Sequence, residues 1–513
     1  MNEKGEYKKL ISQRLISQNK GLIGLLFLFL VVRAISILRY HLPFWDEAVY
    51  IGMGKYIYSW GQIGLWEDIR PLVFPIVLGF FILIKIPLQY LEIVPISFSF
   101  GAIVLTYVIS KRLFRKKVAF LSTLFLLITP VFYLYSYYYL TEIPSIFFAL
   151  LTIYLFLKSK YFWSGIFTGI AFMTKFPQGL IFFALFVIMS SEILIFDKKK
   201  KTNNEKITKK IKANNLFIYI LGFSIILFIF LIFNIMMYNN GNLITSAFHT
   251  FINARYHELN PFQTIQIIGI GGWAYNYLYY IIELIKSNYL LLFFFIGIIS
   301  IIFRKNTFGT KEKEIQKYSL IILPMLFLLL YFSIIPNKQL RFSLTFLPYF
   351  CILSALGAVK LYDFFKNRII KIFVVLLLIF LSLNAIRTDI NYCAWKPQTE
   401  PAIIKELYST LPPNKTVLTS DPVFSVYSDD KFIPYYYSAE IAIMKYDINF
   451  IYDIYLNQSD IIIFNNNSLL CIEKDIYCKN SIEKIKAKIN KNKLVREYDY
   501  GSDTYYIYET IKY

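Results

Sequence analysis

Two adjacent carboxylates, Asp46 and Glu47, follow the first long apolar segment of the chain within ten residues. A charge near membrane depth is costly where it touches lipid, so ionisable residues in such places usually serve a function. A carboxylate can accept a proton from an incoming hydroxyl, and cations can stabilise a phosphate that leaves with negative charge. The paired acid therefore raises the question of which cations, and which segments, lie beside it.

The composition indicates a protein that crosses the membrane many times. Of the 513 residues, 57% are hydrophobic and 19% are aromatic, which is far above the usage of a soluble enzyme. The net charge is +21, yet residues 390–513 carry 14 Lys and Arg against 16 Asp and Glu. The excess positive charge lies in short clusters between apolar segments, which is a topology signal and not the footprint of a nucleic-acid-binding protein.

Six basic clusters are predicted to lie on the cytoplasmic side, because Lys and Arg favour that side in short loops. They are residues 4–20, 111–117, 158–160, 198–212, 304–317 and 366–371. An even number of crossings between successive clusters then predicts about eleven transmembrane helices. The segment Pro71–Leu88, interrupted by two prolines and a lysine, is predicted to be an outer re-entrant or juxtamembrane helix.

The individual crossings follow from the same reasoning, and residues 239–286 are expected to form a large outer loop. The predicted spans are residues 21–39, 91–110, 117–137, 144–158, 162–176, 178–196, 215–238, 287–303, 318–335, 343–360 and 370–388.

Two domains are predicted, a transmembrane catalytic domain over residues 1–389 and a small extracytoplasmic α/β domain over residues 390–513. In the second, residues 415–421, 460–466 and 504–509 have the pattern of strands, and residues 481–491 have that of an amphipathic helix. Cys471 and Cys478 either close a small loop or remain an unpaired surface pair.

This topology brings the unusual ionisable residues to one side of the membrane, beside spans rich in Tyr and Phe. Acids and bases occupy the outer turns, whereas each inner loop is a plain Lys-rich connector. The residues of the outer turns are Asp46, Glu47, Arg70, Glu142, Lys175, His249, Arg255, His257, Lys338 and Arg341.

Each of these residues also has a plain structural explanation. Asp46 can cap the following helix, and Glu142, two residues before a proline, can mark an ordinary helix start. Lys175 and Arg70 can extend to lipid headgroups. The histidines have no HxH or HExxH spacing, so no metal site is predicted. It is the joint pattern of acids and cations that favours a catalytic pocket.

Several motifs together resemble the GT-C glycosyltransferases that use polyprenyl-phosphate sugars, with the protein O-mannosyltransferases and the lipid A aminoarabinose transferases as the most similar groups. The resemblance covers roughly residues 20–360, and the order and topology of the motifs agree with it. The motifs are WDEAVY (45–50), RP (70–71), TEIP (141–144), GIFTGIAFMTK (165–175), FHTFINARYHELNPF (248–262) and RFSLTFLP (341–348).

The resemblance implies a GT-C fold and roles for individual residues. Asp46 would be the catalytic base, and Glu142 would assist in the acceptor site, where many relatives carry Asp. Arg70, Lys175 and Arg255 would bind the donor phosphate. The supporting residues would be Glu47, His249, His257 and Arg341. Glu47 would orient its loop through a salt bridge or hydrogen bond with Lys55 or Arg70.

The expected function is that of an inverting glycosyltransferase of the plasma membrane. It would move a sugar from a dolichyl or undecaprenyl phosphate to an extracytoplasmic protein, glycan or lipid. No cofactor is expected, because Lys and Arg stand in for a metal in these relatives, although a divalent cation is not excluded. The N-terminus would be cytoplasmic and the C-terminal domain extracytoplasmic, and no nucleic acid is involved. The alternatives are a membrane transporter or lipid flippase, and a non-catalytic scaffold of the cell envelope.

Overall fold

The computed structural model describes most of the chain. The described residues are 19–37, 42–67, 70–197, 203–238, 270–303, 311–335, 338–393, 412–434, 455–465, 476–500 and 503–511.

Most of these residues are helical, as the long apolar segments predict. In chain order the helices are α1 (Lys20–Ile37), α2 (Trp45–Tyr58), α3 (Val73–Leu83), α4 (Ile93–Leu113), α5 (Lys116–Leu127), α6 (Pro130–Tyr135), α7 (Glu142–Leu157), α8 (Tyr161–Thr174), α9 (Leu180–Asp197), α10 (Asn203–Tyr238), α11 (Ile270–Ser287), α12 (Phe293–Ile302), α13 (Lys311–Ile334), α14 (Leu347–Phe364), α15 (Arg368–Cys393), α16 (Phe424–Tyr427) and α17 (Ile476–Ile489).

The protein is a multi-pass membrane protein. Among the described residues, six helical stretches are long and apolar enough to cross a membrane. They are Leu88–Leu113, Phe176–Leu194, Ile207–Phe233, Lys317–Ile334, Leu347–Phe364 and Arg368–Arg387. Shorter apolar helices accompany them, so the predicted total of about eleven spans stays a prediction.

Small residues allow the helices to approach each other closely, which is how membrane helices pack in the absence of a hydrophobic driving force. Gly165 and Gly169 lie four residues apart on α8 and face α10. A methyl group on Gly165 would collide with the carbonyl oxygen of Tyr219, and one on Gly222 would collide with that of Phe162. The Gly-x-x-x-Gly part of the motif at 165–175 therefore packs helices together.

The apolar segment before Leu88 forms only a short helix, and its re-entrant or juxtamembrane placement stays a prediction. Its helix α3 has 11 residues. At 1.5 Å per residue it is about 16 Å long, roughly half of the hydrocarbon core. The segment turns at Lys85, where φ is 59°.

Two predicted segments differ from the structure in their helices. The predicted single crossing over 117–137 is broken into α5 and α6, because Pro130 fixes the preceding Thr129 in an extended conformation, with φ −86° and ψ 119°. The expected loop over 239–286 contains α11, an 18-residue helix. Its polar residues Asn276, Glu283 and Lys286 lowered its apparent hydrophobicity, although its apolar positions recur at helical spacing.

The C-terminal residues form most of a six-stranded mixed sheet. The strands are β1 (Gly64–Leu65), β2 (Thr416–Thr419), β3 (Lys431–Pro434), β4 (Ile461–Asn465), β5 (Lys493–Tyr500) and β6 (Asp503–Glu509). Their order is β1-β3-β2-β4-β6-β5, with the first four strands parallel and the last two antiparallel to their neighbours. The three predicted strands and the helix over 481–491 are confirmed as β2, β4, β6 and α17.

The sheet is not built by the C-terminal residues alone. The edge strand β1 belongs to the loop between α2 and α3, and it pairs with β3 through Gly64 opposite Lys431 and Leu65 opposite Phe432. Gly64 has a φ of 80°, and a Cβ atom there would collide with the carbonyl oxygen of Gly52 on α2. Only glycine fits this position. The β1–β3 pairing joins the loop after α2 to the C-terminal strands in one sheet.

Candidate active site

Three separate segments bring charged residues to one place at one end of the helix bundle. Asp46 lies in the first turn of α2, Arg70 precedes α3, and Arg341 lies in a short 3₁₀ helix, Leu340–Thr345. The Asp46 carboxylate is held from both sides, with Arg70 Nη2 3.0 Å from Oδ1 and Arg341 Nη2 2.5 Å from Oδ2. Asp46 is therefore paired with two guanidinium groups.

A second acid joins the same cluster. Glu142 begins α7, and its Oε1 accepts a hydrogen bond of 3.1 Å from Lys175 Nζ, just after α8. Arg341 Nε lies 3.8 Å from the same oxygen. One arginine thus connects both acids, and the five residues Asp46, Arg70, Glu142, Lys175 and Arg341 form one site, here called the charge cluster.

The charge cluster is largely shielded from solvent. The exposed fraction is 19% for the Asp46 side chain, 11% for Arg341 and 3% for Glu142. Aromatic rings add to the shielding, since the Arg341 guanidinium lies 5.7 Å from the centre of the Phe44 ring and Lys175 Nζ lies 5.0 Å from that of Phe342. Interactions between charges are stronger here than at a wet surface.

The pKa of Asp46 follows from this environment. Burial by itself raises the pKa of the carboxyl group, because it disfavours the charged form. The positive charge of Arg341, then that of Arg70, and the hydrogen bonds from both outweigh burial and hold the pKa well below its usual value. Asp46 is therefore ionised over the whole physiological range in this structure.

Glu142 differs from Asp46 in having an oxygen without a partner. Its Oε2 is buried and accepts no hydrogen bond from any residue that the structure describes. A buried acceptor left unsatisfied is costly, and in native proteins it often marks a place where a ligand binds. This oxygen can accept a hydrogen bond from a substrate hydroxyl.

Glu47 has a structural role of the kind expected, but with different partners. Its Oε2 accepts a hydrogen bond of 3.0 Å from the backbone N–H of Phe44, and its Oε1 accepts one of 2.6 Å from that of Tyr139. Glu47 therefore caps the start of α2 and ties it to the chain before α7. The capping role that could have explained Asp46 belongs to Glu47. Lys55, suggested as a partner of Glu47, forms an ion pair with Asp429.

Two contacts of Arg70 were not foreseen in the sequence. Glu67 Oε2 accepts a hydrogen bond of 2.7 Å from Arg70 Nε, and the guanidinium lies 5.6 Å from the centre of the Tyr50 ring. The spacing of Glu67 and Arg70, three residues apart, was the available signal. The place of Tyr50, the last residue of WDEAVY, depends on α2 being a helix.

The remaining predicted residues divide into two groups. Lys338 donates hydrogen bonds to the carbonyl groups of Phe332 and Ser333 at the end of α13. His249, Arg255 and His257 lie outside the described residues. No group of three or more His, Cys, Asp or Glu side chains suited to a metal occurs in the part of the chain that the structure describes.

The C-terminal residues hold the helix that carries Asp46. Lys55 on α2 is buried and donates hydrogen bonds of 2.9 Å to the carbonyl oxygen of Ser428 and 3.2 Å to Asp429 Oδ1. The helix α16 packs on α2, where Gly52 faces the Ser425 hydroxyl. Together with the β1–β3 pairing, these contacts fix α2 relative to the sheet.

Comparisons with known proteins agree with this architecture. A family model for dolichyl-phosphate-mannose-protein mannosyltransferases matches residues 70–213. A search of curated proteins found no match. ArnT from Cupriavidus metallidurans, in a crystal structure bound to undecaprenyl phosphate, has a similar fold, with a TM-score of 0.60, 10% identity, and coverage of 96% of this chain and 98% of ArnT.

Archaeal oligosaccharyltransferases are also similar in structure. The apo enzyme of Archaeoglobus fulgidus matches with a TM-score of 0.54 and 11% identity over 88% of this chain and 70% of its own. AglB from the same organism, in complex with an inhibitory peptide and a dolichol-phosphate, matches with a TM-score of 0.52 and 10% identity over 88% and 69%. The fold is that of the GT-C glycosyltransferases, and the predicted resemblance to those that use polyprenyl phosphates is confirmed.

Proposed function

We propose that this protein is an inverting glycosyltransferase that moves a single sugar from a polyprenyl phosphate to an extracytoplasmic acceptor. The observation that carries the proposal is the charge cluster, in which one arginine links two acids that have different partners. One acid suits proton transfer and the other suits binding of the acceptor, while the cations suit a phosphate.

The donor phosphate would be held by Arg70, Lys175 and Arg341. A guanidinium has five N–H donors in a fixed fork, so each arginine can bind a phosphate oxygen while it keeps a contact with a carboxylate. The leaving phosphate gains negative charge as the sugar–oxygen bond breaks, and fixed cations stabilise that charge. The resemblance adds Arg255 to this set.

Asp46 would be the catalytic base. Its paired state makes it a weak base without substrate, because the two arginines stabilise the carboxylate. A bound phosphate shares those arginines, and the pKa of Asp46 then rises toward the range in which it can accept a proton. The base would thus become active only when the donor is in place.

Glu142 would orient the acceptor. Its unpaired Oε2 can accept a hydrogen bond from the attacking hydroxyl or a neighbouring group, while Lys175 fixes the other oxygen. In the reaction the acceptor oxygen attacks C1 of the sugar opposite the phosphate, its proton passes to Asp46, and the bond to the phosphate breaks. A single displacement inverts the anomeric centre without a covalent enzyme intermediate.

The class of donor is supported by the solved relatives, since ArnT of C. metallidurans binds undecaprenyl phosphate and AglB of A. fulgidus binds a dolichol-phosphate. A hexose or pentose on such a lipid fits the proposal. The acceptor would be a protein, glycan or lipid on the outer face, and in this proposal the N-terminus is cytoplasmic and residues 390–513 are extracytoplasmic.

The test is mass spectrometry of cell-envelope glycans from cells with and without the protein. Loss of one hexose or pentose is expected, together with restoration by the wild-type chain and by Asp363→Asn. Asp46→Asn is expected not to restore it. Restoration by Asp46→Asn would exclude Asp46 as the base, and an unchanged envelope would exclude the transferase.

A transporter or flippase is not favoured. Sites in transporters lie near the bilayer midplane on interrupted helices related by internal repeats. The charge cluster instead lies at helix ends and in connecting turns, beside the C-terminal sheet.

A further inference from the structure

A second site lies at the other end of the helix bundle. A cavity of about 710 Å³ opens there between five helices, and its walls are almost entirely apolar. Leu22 on α1, Phe120 and Leu124 on α5, Val359 on α14 and Leu378 on α15 are among the residues that line it. The volume falls within the range of about 300–1,000 Å³ that small-molecule sites occupy.

The cavity is separate from the charge cluster. Both sites touch the ends of α14: Arg341 lies just before its first residue, Leu347, and Tyr362 in its last turn lines the cavity. Fifteen residues of helix separate Leu347 from Tyr362, which is about 22 Å at 1.5 Å per residue. A ligand in the cavity therefore does not reach the proposed catalytic residues.

Cations surround the mouth of this apolar cavity. Lys116 and Lys117, at the start of α5, belong to its lining. The centre of the Tyr362 ring, which also lines the cavity, lies 5.1 Å from Lys117 Nζ and 5.2 Å from Lys371 Nζ. The combination of an apolar interior and a cationic rim matches a molecule with a hydrocarbon tail and an anionic head.

We propose that the cavity binds an anionic phospholipid of the leaflet at this end of the protein. One acyl chain would lie against Phe120, Leu124 and Leu378, and Lys116 and Lys117 would bind the headgroup phosphate. Lysines near an anionic membrane surface each contribute to lipid binding, and basic pockets between transmembrane helices bind such headgroups.

The other conceivable occupant is the N-terminal segment of this chain, residues 1–18. It contains Lys4, Lys8, Lys9 and Arg14 against only two acids, so it carries a net positive charge. The lysines at the mouth would repel it. Charge complementarity therefore selects the lipid over the segment.

The experiment measures lipid binding to the purified full-length chain in a neutral detergent. The melting temperature and the mass of retained lipid, by native mass spectrometry, are followed while dioleoylphosphatidylglycerol or dioleoylphosphatidylcholine is added. The anionic lipid is expected to raise the melting temperature and to stay bound, and the zwitterionic lipid is expected to do so much less.

Two variants locate the binding. Lys116→Ala with Lys117→Ala is expected to weaken binding of phosphatidylglycerol about twentyfold or more, from the contribution of two lysines. Ser382→Phe, which fills the cavity without a change of charge, is expected to abolish binding of the acyl chain. The matched control is Lys158→Ala with Lys160→Ala, a second basic loop that does not line the cavity.

Three outcomes would overturn the proposal. Equal stabilisation by both lipids would mean a nonspecific apolar crevice. Equal loss in the control pair would mean general attraction to anionic lipid. A gain of lipid binding on deletion of residues 1–18 would identify that segment as the occupant. Binding of undecaprenyl phosphate is expected to stay unchanged in the lysine variants, so failure here leaves the proposed glycosyltransferase untouched.

Discussion

The two ends of the helix bundle use similar residues in opposite ways. At the end that carries the charge cluster, Asp46, Glu142 and their cations are paired, shielded and held by five separate segments. At the other end, Arg115 and Asp363 also form an ion pair, but their side chains are 73% and 39% exposed. Water screens the second pair and the protein shields the first, so the attraction between opposite charges is weaker in the second pair.

This difference distinguishes charged residues that are expected to serve a function from those that orient the chain in the membrane. A cluster that is costly to bury and satisfied by ion pairs is retained for a reason other than stability alone. Exposed lysines near a membrane, by contrast, orient the chain and attract lipid headgroups. Substitutions at matched positions of the two ends test whether the two kinds of ion pair differ in this way.

The largest effect is expected at Asp46. Asp46→Asn keeps the shape of the side chain and removes the base, so the rate of sugar transfer from a purified lipid donor should fall about 10²- to 10⁴-fold. Asp363→Asn, at the other end, should leave that rate unchanged. A near wild-type rate for Asp46→Asn would assign the base to another group.

Arg341 should give the next largest effect. Arg341→Gln leaves two shielded carboxylates with one cation fewer, and we expect the free energy of unfolding to fall by about 2 kcal/mol. The matched change Arg115→Gln breaks a solvent-exposed pair and should cost under about 0.5 kcal/mol.

Chemical or thermal denaturation in detergent measures both variants of this arginine pair. Binding of undecaprenyl phosphate should weaken in Arg341→Gln alone. Similar losses of stability in both variants would remove the distinction between the two ends.

A smaller loss of stability is expected when the contact between the C-terminal sheet and the loop after α2 is weakened. Gly64→Ala forces a Cβ into a left-handed conformation, which costs about 1–2 kcal/mol, and brings it against the carbonyl oxygen of Gly52. The β1–β3 pairing should loosen, and limited proteolysis should cut between α2 and α3 sooner. Gly24→Ala on α1, where a Cβ meets no atom within 4 Å, is the control and should have no such effect.

The smallest expected effect is a difference between the pH profile of kcat/KM and that of kcat. In the free enzyme the pKa of Asp46 lies below its usual value near 3.9, so kcat/KM should stay high as the pH falls to about 4. With donor bound, the phosphate shares the arginines and the pKa rises, so the acid limb of kcat should lie at least about one pH unit higher. An acid limb at the same pH in both profiles would argue against the proposal that the donor phosphate shares the two arginines with Asp46.

The lowered pKa of Asp46 also makes the stability of the fold depend on pH. The ion pairs of Asp46 stabilise the fold at all pH values above the ordinary pKa of aspartate, and that contribution disappears as the pH falls through the lowered value. Asp46→Asn should therefore narrow the difference in stability between neutral and strongly acidic solution.

The sequence predicted much of the site but not its connections. Asp46, Arg70, Glu142 and Lys175 were recognisable because ionisable residues near membrane depth are rare and costly. Arg341 was recognised only as a supporting residue, since nothing local shows that one guanidinium meets acids 295 and roughly 200 positions away. Glu47 was predicted to orient its loop, but only the structure shows that it caps α2 through the backbone N–H of Phe44 and also accepts a hydrogen bond from that of Tyr139.

The fold, like the site, was predicted only in part from the sequence. Length and hydropathy predicted the long helices, and strand patterns predicted β2, β4 and β6. They failed at α11, whose polar residues hide an amphipathic helix, and at Thr129, where a proline ends a helix inside an apolar run. Two residues, Gly64 and Leu65, are too few for any strand pattern to reveal.

By itself the sequence determined that the chain crosses the membrane many times, and that acids and cations gather at one end, because apolar length and the cost of buried charge are local properties. The tertiary structure alone decided which acid is held by which cation, that a loop strand completes the C-terminal sheet, and that an apolar cavity with a cationic rim lies at the far end. Each of these depends on segments far apart in the chain that meet only when the helices pack.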